Sequence, residues 1–245
     1  MNEVLSDIAI GAVPLISAAK GIDRATGNLM AAVAEKAAPK AEFFAISGPS
    51  FAVDVIAGLP TAVALAGSSL DAAKDWAEKL STSHFRIYPT DDVMGVEIGG
   101  AMKNVLAIAC GICDGEGLGE SARASLVTRG FVELSRYARA QGAKTETLMG
   151  LSGFGDLMLT CSSTKSRNYA YGLAIGRGAS VAEALTSARG VVEGAYTAGI
   201  AAKLAQTKNI DMPIVSAVAA IVDGRSSPRD EIAKLLARPV RAENM

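Results

Sequence analysis

The stretch from Val96 to Gly115, VEIGGAMKNVLAIACGICDG, constrains the fold more than any other segment of the chain. It is rich in small and apolar residues, a pattern that is typical of a helix buried in a protein core. One lysine, Lys103, lies inside it. Because an unpaired ammonium group is costly to bury, such a lysine either finds partners or gives up its proton. The sequence therefore predicts a core helix with one chemically constrained lysine.

Before this helix, short apolar runs alternate with helical patterns. The runs at residues 11–19, 42–47, 60–67 and 85–89 are interpreted as strands, and the residues before the first run as a short helix-like stretch. From Asp91 onward, helical patterns dominate and glycine-rich corners separate them. We predict an α/β N-terminal part that is followed by an all-α part without further strands.

The composition limits the partners and the compartment. A formal net charge of −1 gives no basic surface for nucleic acid. No run approaches about 18 consecutive apolar residues, so no membrane span is expected, and Glu3 and Asp7 replace the basic residues of a signal peptide. Cys110 and Cys113 lie on the apolar helix and are interpreted as small hydrophobic residues, so no metal site is predicted. Sparse cysteines favour a cytoplasmic protein.

Lys103 is the first candidate for chemistry. It precedes Asp114 by eleven residues, about three helical turns, which predicts that the two side chains share one helix face. Gly99 and Gly100 would let another backbone or a ligand approach the helix closely. A desolvated lysine near carboxylates is a good proton donor or acceptor for a carbonyl and alcohol pair. The alternative is a lysine whose stem is buried while its ammonium reaches solvent.

A second group of polar residues follows a glycine-rich turn. Asp156 opens an apolar helical segment, where a carboxylate suits the positive helix end, and an ordinary helix-start residue explains it equally well. Ser166, Arg167 and Asn168 precede the next helical run and form a candidate anion cradle. The alternative is a helix cap beside a solvated arginine.

Two weaker signals complete the set. Lys20 and Gly21 come just after a predicted strand, where open α/β sheets bind ligands. Glu193 lies between apolar residues and a glycine, where a carboxylate suits a ribose or an amide group. Charged groups beside glycines in apolar surroundings are typical of a small-molecule site. The first half of the chain contains no G-x-G-x-x-G loop, which a dinucleotide-binding domain is expected to carry.

Together these motifs resemble those of the bacterial NAD(P)-dependent glycerol-3-phosphate dehydrogenase family. The matching stretches are AAKGID at 18–23, ISGPSFAVDVIAGLPTAV at 46–63, IGGAMKNVLAIACGICDGEGLGESARASLVTRG at 98–130, GLSGFGDLMLTCSSTKSRNYAYG at 150–172 and VVEGAYTA at 191–198. They occur in family order over nearly the whole chain. The resemblance implies an incomplete Rossmann-type, dinucleotide-binding sheet over residues 1–90 and a helical substrate and catalytic domain over residues 91–245.

The resemblance also implies an activity. The family interconverts dihydroxyacetone phosphate and sn-glycerol 3-phosphate by hydride transfer with NADH or NADPH, a source of glycerophospholipid precursors. Lys103 resembles the catalytic lysine, which accepts a proton when the alcohol is oxidised. The positions that resemble substrate contacts are Lys20, Gly48, Ser50, Lys103, Asp156, Ser166, Arg167 and Asn168. The positions that resemble cofactor contacts are Lys20, Ala52, Arg167, Val191 and Glu193.

Two other interpretations remain open from the sequence. The family's glycine-rich phosphate loop has no counterpart here, and that loop supplies a helix N-terminus to the dinucleotide. A chain without it is expected to bind cofactor poorly, so the first alternative is an inactive truncated fragment or a partner subunit that needs a separate N-terminal piece. The second is a dehydrogenase of a different hydroxyacid, against which the anion cradle at residues 166–168 argues. A homodimer is the candidate assembly.

Overall fold

A computed structural model describes residues 11–188, 190–240 and 242. The N-terminal part contains a four-stranded sheet, and the strands lie side by side in chain order. The strands are β1 (Pro14–Ser17), β2 (Glu42–Ser47), β3 (Thr61–Ala66) and β4 (Phe85–Thr90). All four predicted strand runs are therefore confirmed. The predicted helix-like stretch at the start, with Glu3 and Asp7, lies outside the described residues.

The sheet is mixed, whereas a Rossmann-type sheet is mostly parallel. β1 pairs with β2 and β3 pairs with β4 in parallel, but β2 and β3 are antiparallel. The connection between β2 and β3 holds only α2 (Ala52–Ile56), a five-residue helix with no buried residues. Because this helix does not pack across the sheet as a crossover helix would, the chain reverses direction and β3 returns antiparallel.

Two longer helices accompany the sheet. They are α1 (Met30–Ala37) and α3 (Leu70–Leu80), and the Ser69 side chain caps α3 by accepting a hydrogen bond from the Ala72 N–H. The ring of Trp76 on α3 packs edge-on against Phe44, which is fully buried in β2. The two rings are part of a small apolar core that covers one face of the sheet.

The remainder of the described chain is helical, with no strand after Thr90, as predicted. Its helices are α4 (Val93–Gly115), α5 (Glu120–Ala140), α6 (Thr145–Met149), α7 (Asp156–Cys161), α8 (Arg167–Gly176), α9 (Val181–Ser187), α10 (Glu193–Thr207), α11 (Pro213–Val222) and α12 (Pro228–Leu236). A π-helical turn, Leu151–Gly155, leads into α7. The domain boundary near residue 90 stays a prediction.

Helix α4 is the centre of the helical part. It begins at Val93, where the Asp92 carboxylate caps it by accepting a 2.8 Å hydrogen bond from the Gly95 N–H. Its length and composition alone would allow it to cross a membrane. However, 94% of its most apolar 18-residue window is buried inside the protein, as in the core helix of a globular fold. Because α5, α7, α8, α10 and α11 all pack against it, α4 is the core helix that the sequence predicts.

The three cysteines are part of this core. Cys110, Cys113 and Cys161 are free and buried. Burial raises the pKa of Cys113 to about 11, so its thiol stays protonated at neutral pH. The interpretation of Cys110 and Cys113 as small hydrophobic residues is therefore confirmed.

Glycines allow α4 and α8 to pack backbone against backbone. Gly111 on α4 faces the first turns of α8, and a Cβ atom at this position would lie 2.1 Å from the Tyr169 carbonyl oxygen. Gly172 on α8 faces α4, and its Cβ atom would lie 2.1 Å from the Ile108 carbonyl oxygen. Because α8 begins beside the anion cradle at residues 166–168, this close packing also fixes the position of the cradle.

We expect Gly111→Ala to destabilise the fold by about 3 kcal/mol or more, because the added methyl group would displace helix backbone. Gly199→Ala is the matched control, since a Cβ atom on this α10 glycine would meet only the Asp223 carboxylate at 3.9 Å. The control should gain about 0.5–1 kcal/mol from helix propensity. Urea unfolding of both variants measures the difference, and equal stabilities would contradict the packing described here.

Candidate active site

Lys103 is buried and paired. Its side chain leaves the middle of α4, and the residue is only 6% exposed. Its Nζ atom donates hydrogen bonds to Asp156 Oδ1 at 2.6 Å and to Thr160 Oγ1 at 2.9 Å. Asp156 and Thr160 are four residues apart on α7, so one helix face presents both acceptors. The lysine therefore has the partners that its burial requires.

The pKa of Lys103 reflects two opposing effects. Burial lowers the pKa from 10.5 to about 8, and the negative charge of Asp156 partly offsets this shift. The nearby ammonium of Lys20 lowers it further. A lysine with a pKa near 8 exchanges its proton readily close to neutral pH, which suits a general acid or base.

Asp156 binds a second ammonium group from the sheet. Its Oδ2 atom accepts a 2.7 Å hydrogen bond from Lys20 Nζ, and Lys20 follows the carboxyl end of β1. Lys20 Nζ also donates to the Gly48 carbonyl oxygen at 3.3 Å, just beyond β2. The carboxyl ends of β1 and β2 thus lie next to Asp156 of the helical part. This is the edge of the sheet where the position of Lys20 predicts a ligand site.

Lys103 and Asp114 share the helix α4, as predicted, but they are not in contact. Eleven residues along a helix separate the two positions by about 16 Å, so sharing a face does not bring them into contact. Asp114 instead accepts hydrogen bonds from Arg123 and from the Tyr169 hydroxyl, outside the cluster around Lys103. The carboxylate that Lys103 binds is Asp156, more than fifty residues later in the chain.

Gly48 and Ser50 shape the loop below Lys20. A Cβ atom at Gly48 would lie 2.8 Å from the Val63 Cα atom, so this position requires glycine for the loop to approach β3. The Ser50 hydroxyl donates a 3.0 Å hydrogen bond to the Gly48 carbonyl oxygen, the same oxygen that Lys20 contacts. Both predicted residues therefore lie next to the lysine pair.

A network of amide groups continues from the lysines. Asn104 Nδ2 donates to Glu193 Oε2 at 3.1 Å, and Asn168 Nδ2 donates to Asn104 Oδ1 at 3.0 Å. Asn168 Oδ1 in turn accepts a 2.9 Å hydrogen bond from the Gly194 N–H. Burial raises the pKa of Glu193, and the cations around it oppose the rise. This network holds the first turn of α10 against α4 and α8.

The candidate anion cradle contains one exposed cationic side chain and one hydroxyl that already serves as a helix cap. The Ser166 hydroxyl caps α8 by accepting a 3.3 Å hydrogen bond from the Tyr169 N–H, as the cap alternative predicts. Arg167 is exposed in the first turn of α8, and its guanidinium passes close to Gly190. The binding roles of these residues stay predictions.

These groups border a cavity of about 1060 Å³. The predicted site residues that line it are Lys20, Ser50, Ala52, Lys103, Ser166, Arg167, Asn168 and Glu193. Three other predicted residues are not part of the lining. Asp156 lies behind the two lysines, and Gly48 offers its carbonyl oxygen to Lys20. Val191 is exposed to solvent outside the cavity. Most of the residues that the sequence analysis selected are therefore brought together.

The cavity lining also contains residues that the sequence analysis did not select. Thr160, Lys165 and Asn104 line it, and Thr160 binds Lys103 directly. A sequence signal for Thr160 existed, because a hydroxyl four residues after Asp156 shares its helix face. The lining residues that the structure describes include four cationic side chains and one carboxylate, so the cavity favours an anionic ligand.

Comparison with protein families gives two matches. The model of the NAD-dependent glycerol-3-phosphate dehydrogenase C-terminus matches residues 92–233, and that of the corresponding N-terminus matches residues 2–73. The chain is 57% identical over 231 residues to a glycerol-3-phosphate dehydrogenase [NAD(P)+] of Methylobacterium radiotolerans, covering 94% of this chain and 69% of that relative. It is 50% identical over 244 residues to the glycerol-3-phosphate dehydrogenase [NAD(P)+] of Erythrobacter litoralis, covering 100% of this chain and 74% of that relative.

Solved structures agree with the sequence relatives. The crystal structure of glycerol-3-phosphate dehydrogenase from Coxiella burnetii superimposes with a TM-score of 0.91 at 40% identity, over 97% of this chain and 74% of that one. The glycerol-3-phosphate dehydrogenase of Saccharomyces cerevisiae superimposes with a TM-score of 0.82 at 22% identity, over 97% of this chain and 71% of that one. At this identity the likeness shows the shared fold alone. The alternative of an inactive fragment or a partner subunit receives no support from these comparisons.

Proposed function

We infer that this chain, which belongs to the NAD-dependent glycerol-3-phosphate dehydrogenase family, interconverts dihydroxyacetone phosphate and sn-glycerol 3-phosphate with NADH or NADPH. One observation carries this proposal: the buried Lys103 and Asp156 form a cluster with the half-buried Lys20 at a cationic cavity. A carbonyl and alcohol pair needs a proton relay, and a phosphorylated substrate needs positive charge. The cavity offers both to one small molecule.

Lys103 is proposed as the proton relay. When the alcohol is oxidised, the neutral amine accepts the hydroxyl proton at Nζ, and in the reverse direction the ammonium donates that proton to the carbonyl oxygen. A pKa of about 8 keeps both forms accessible near neutral pH. The hydrogen bonds to Asp156 and Thr160 use two of the three N–H directions of the ammonium, so the third is available to a substrate oxygen.

Asp156 is proposed to hold the two ammonium groups in place. Its two oxygens bind Lys103 and Lys20 separately, so each lysine keeps a fixed position relative to the cavity. When Lys103 is neutral, the charge of Asp156 remains balanced by Lys20. The buried carboxylate is therefore never left without a cation during proton transfer, which limits the energetic cost of the reaction cycle.

The residues along the cavity suit the reactive end of a nicotinamide dinucleotide. The Glu193 carboxylate, held by Asn104, offers an acceptor to amide or ribose donors, and Arg167 offers a cation to a phosphate group. Lys20 and Ala52 line the same space, and the exposed Val191 would contact the dinucleotide beyond it. The cofactor, when bound, supplies or accepts the hydride.

We further propose the cellular setting that the family implies. The chain would act on a small phosphorylated substrate in the cytoplasm and supply glycerophospholipid precursors. A formal net charge of −1 supports the absence of a nucleic-acid partner. A homodimer is the proposed assembly, and sedimentation equilibrium of the purified chain tests it.

Two measurements test the proposed activity. The first follows NADH or NADPH oxidation by the full chain with dihydroxyacetone phosphate. The second titrates the chain with glycerol 3-phosphate in a calorimeter without nucleotide, so that substrate recognition is observed separately from cofactor binding. Turnover together with specific binding supports the proposal, whereas absence of glycerol 3-phosphate binding would overturn it.

We expect Arg167→Glu to raise the KM for dihydroxyacetone phosphate by roughly 100-fold. The change removes a charge-assisted hydrogen bond worth about 1.5–3 kcal/mol and adds repulsion toward the phosphate group. Arg177→Glu is the matched control, because Arg177 follows the opposite end of the same helix and does not line the cavity. An unaltered KM in Arg167→Glu would favour the alternative substrate, a hydroxyacid without phosphate.

A further inference from the structure

An ion pair connects two segments that both line the cavity. The Nζ atom of Lys165, in the loop between α7 and α8, lies 3.0 Å from the Oδ1 atom of Asp54 on α2. Lys165 lines the cavity, and so do Ala52 and Val53, the neighbours of Asp54 on α2. The pair is partly exposed, with 56% of the lysine side chain and 31% of the aspartate side chain accessible to solvent. No role for this pair follows from the reaction proposed above.

A phosphate group in this cavity needs more positive charge than the predicted cradle provides. A phosphate monoester carries about −1.5 to −2 charges at neutral pH. Ser166 and Asn168 are neutral, and their side chains already bind the backbone of α8 and the amide network. Lys20 and Lys103 both bind Asp156. Apart from Lys165, Arg167 is thus the one cation among the described lining residues that is not paired with a carboxylate, and the phosphate group carries nearly two charges.

We propose that Lys165 is a second cationic ligand for a phosphate group in this cavity, and that Asp54 is the partner it exchanges for that group. Lys165 precedes Arg167 by two residues, and both line the cavity. Partly exposed ion pairs are weak, so the exchange costs little. A doubly charged phosphate competes well for the ammonium against a single carboxylate. This inference rests on the proposed function of the cavity.

The exchange makes opposite predictions for the two partners. Lys165→Met removes the second cation while it keeps an unbranched stem, so glycerol 3-phosphate should bind about tenfold more weakly. Asp54→Asn removes only the competitor and leaves Lys165 available, so the same ligand should bind about threefold more tightly. A pair that merely clasped α2 to the α7–α8 loop would give the same change in both variants.

Calorimetric titration of the full chain with glycerol 3-phosphate tests this inference, with Lys79→Met as the control. Lys79 forms a comparable exposed ion pair with Asp75 on α3, away from the cavity, and its removal should leave the dissociation constant unchanged. A parallel titration with NADH distinguishes the source of the phosphate. Opposite shifts with glycerol 3-phosphate assign Lys165 to the substrate, and opposite shifts confined to NADH assign it to the dinucleotide.

Three outcomes separate failure of this inference from failure of the proposed function. Equal weakening in Lys165→Met and Asp54→Asn would reduce the pair to a structural clasp and overturn the inference. Unchanged binding of both ligands in both variants would overturn it as well. If the unmodified chain does not bind glycerol 3-phosphate at all, the proposed function itself fails.

Discussion

Lys103→Ala is expected to lower kcat/KM for dihydroxyacetone phosphate reduction by about 10³-fold or more. A positioned proton donor contributes about 10²–10⁴-fold to such a reaction. The loss should lie toward the upper end because Lys103 is buried against Asp156, where solvent does not easily replace its proton. NADH consumption by the full chain measures the effect. Partial recovery with added methylamine would identify the missing group as an amine.

The loss of activity in Lys103 variants should not come from unfolding. The pKa of Lys103 is lowered from 10.5 to about 8 in the folded protein, so its positive charge opposes folding at neutral pH by roughly 3 kcal/mol. Lys103→Met removes that charge, and Asp156 keeps Lys20 as its partner. We therefore expect the free energy of unfolding at pH 7 to be at least that of the unmodified chain. A strongly destabilised Lys103→Met variant would contradict the assigned pKa.

The same shift gives the unmodified chain a stability that depends on pH. Between about pH 8 and about pH 10.5, the unfolded chain holds the Lys103 proton while the folded chain has released it. The unfolded state therefore binds more protons in this window, and the contribution of Lys103 makes folding more favourable as the pH rises. In Lys103→Met this contribution should be absent from urea unfolding curves measured across the window.

Asp156→Asn is the second change with a large expected effect. The change replaces the carboxylate by a neutral amide, so the ammonium groups of Lys103 and Lys20 lose the negative charge that both of them bind. Removing one partner of a buried ion pair costs about 3–5 kcal/mol, so the variant should be clearly less stable. Because the Asp156 charge raises the pKa of Lys103, its loss should also move the pH profile of the reaction to lower pH. Urea unfolding and pH-dependent rates measure the two effects.

Asp114→Asn is the matched control for Asp156→Asn. Asp114 is likewise a carboxylate in an ion pair, here with Arg123, although it is less deeply buried than Asp156, and it is not among the residues that line the cavity. Its removal should lower stability while the pH profile of the reaction stays in place. A shift of the profile in both variants would show that Asp156 acts through general destabilisation rather than through the charge of Lys103.

Much of the fold could be predicted from local sequence patterns. The four strands and the core helix followed from apolar runs and turn residues, because both signals depend on near neighbours in the chain. The antiparallel return of β3 could not be predicted in this way. It depends on whether α2 packs on the sheet, and a five-residue segment carries too little periodicity to decide that.

The site shows the same division between local and distant information. Sequence reasoning identified Lys103 as a buried lysine that needs partners, because one charged residue stood out in an apolar helix. Helix periodicity relates residues only within one helix, so it placed Asp114 on the face of Lys103, whereas Asp156 was selected through the family resemblance. The hydrogen-bond partners of Lys103, Asp156 and Thr160, come from a different helix, and Lys20, which shares Asp156, follows a strand. Only the packing of α4 against α7 and the sheet brings them together.

The most direct test of the central claim, that Lys103 is the proton acceptor, is the pH dependence of glycerol 3-phosphate oxidation. In the unmodified chain with NAD(P)⁺, the rate should rise as the pH passes through about 8, because the neutral amine is the active form. In Lys103→Met the residual rate should show no rise at that pH. The same rise through pH 8 in Lys103→Met would contradict the assignment and move the proton acceptor to another group.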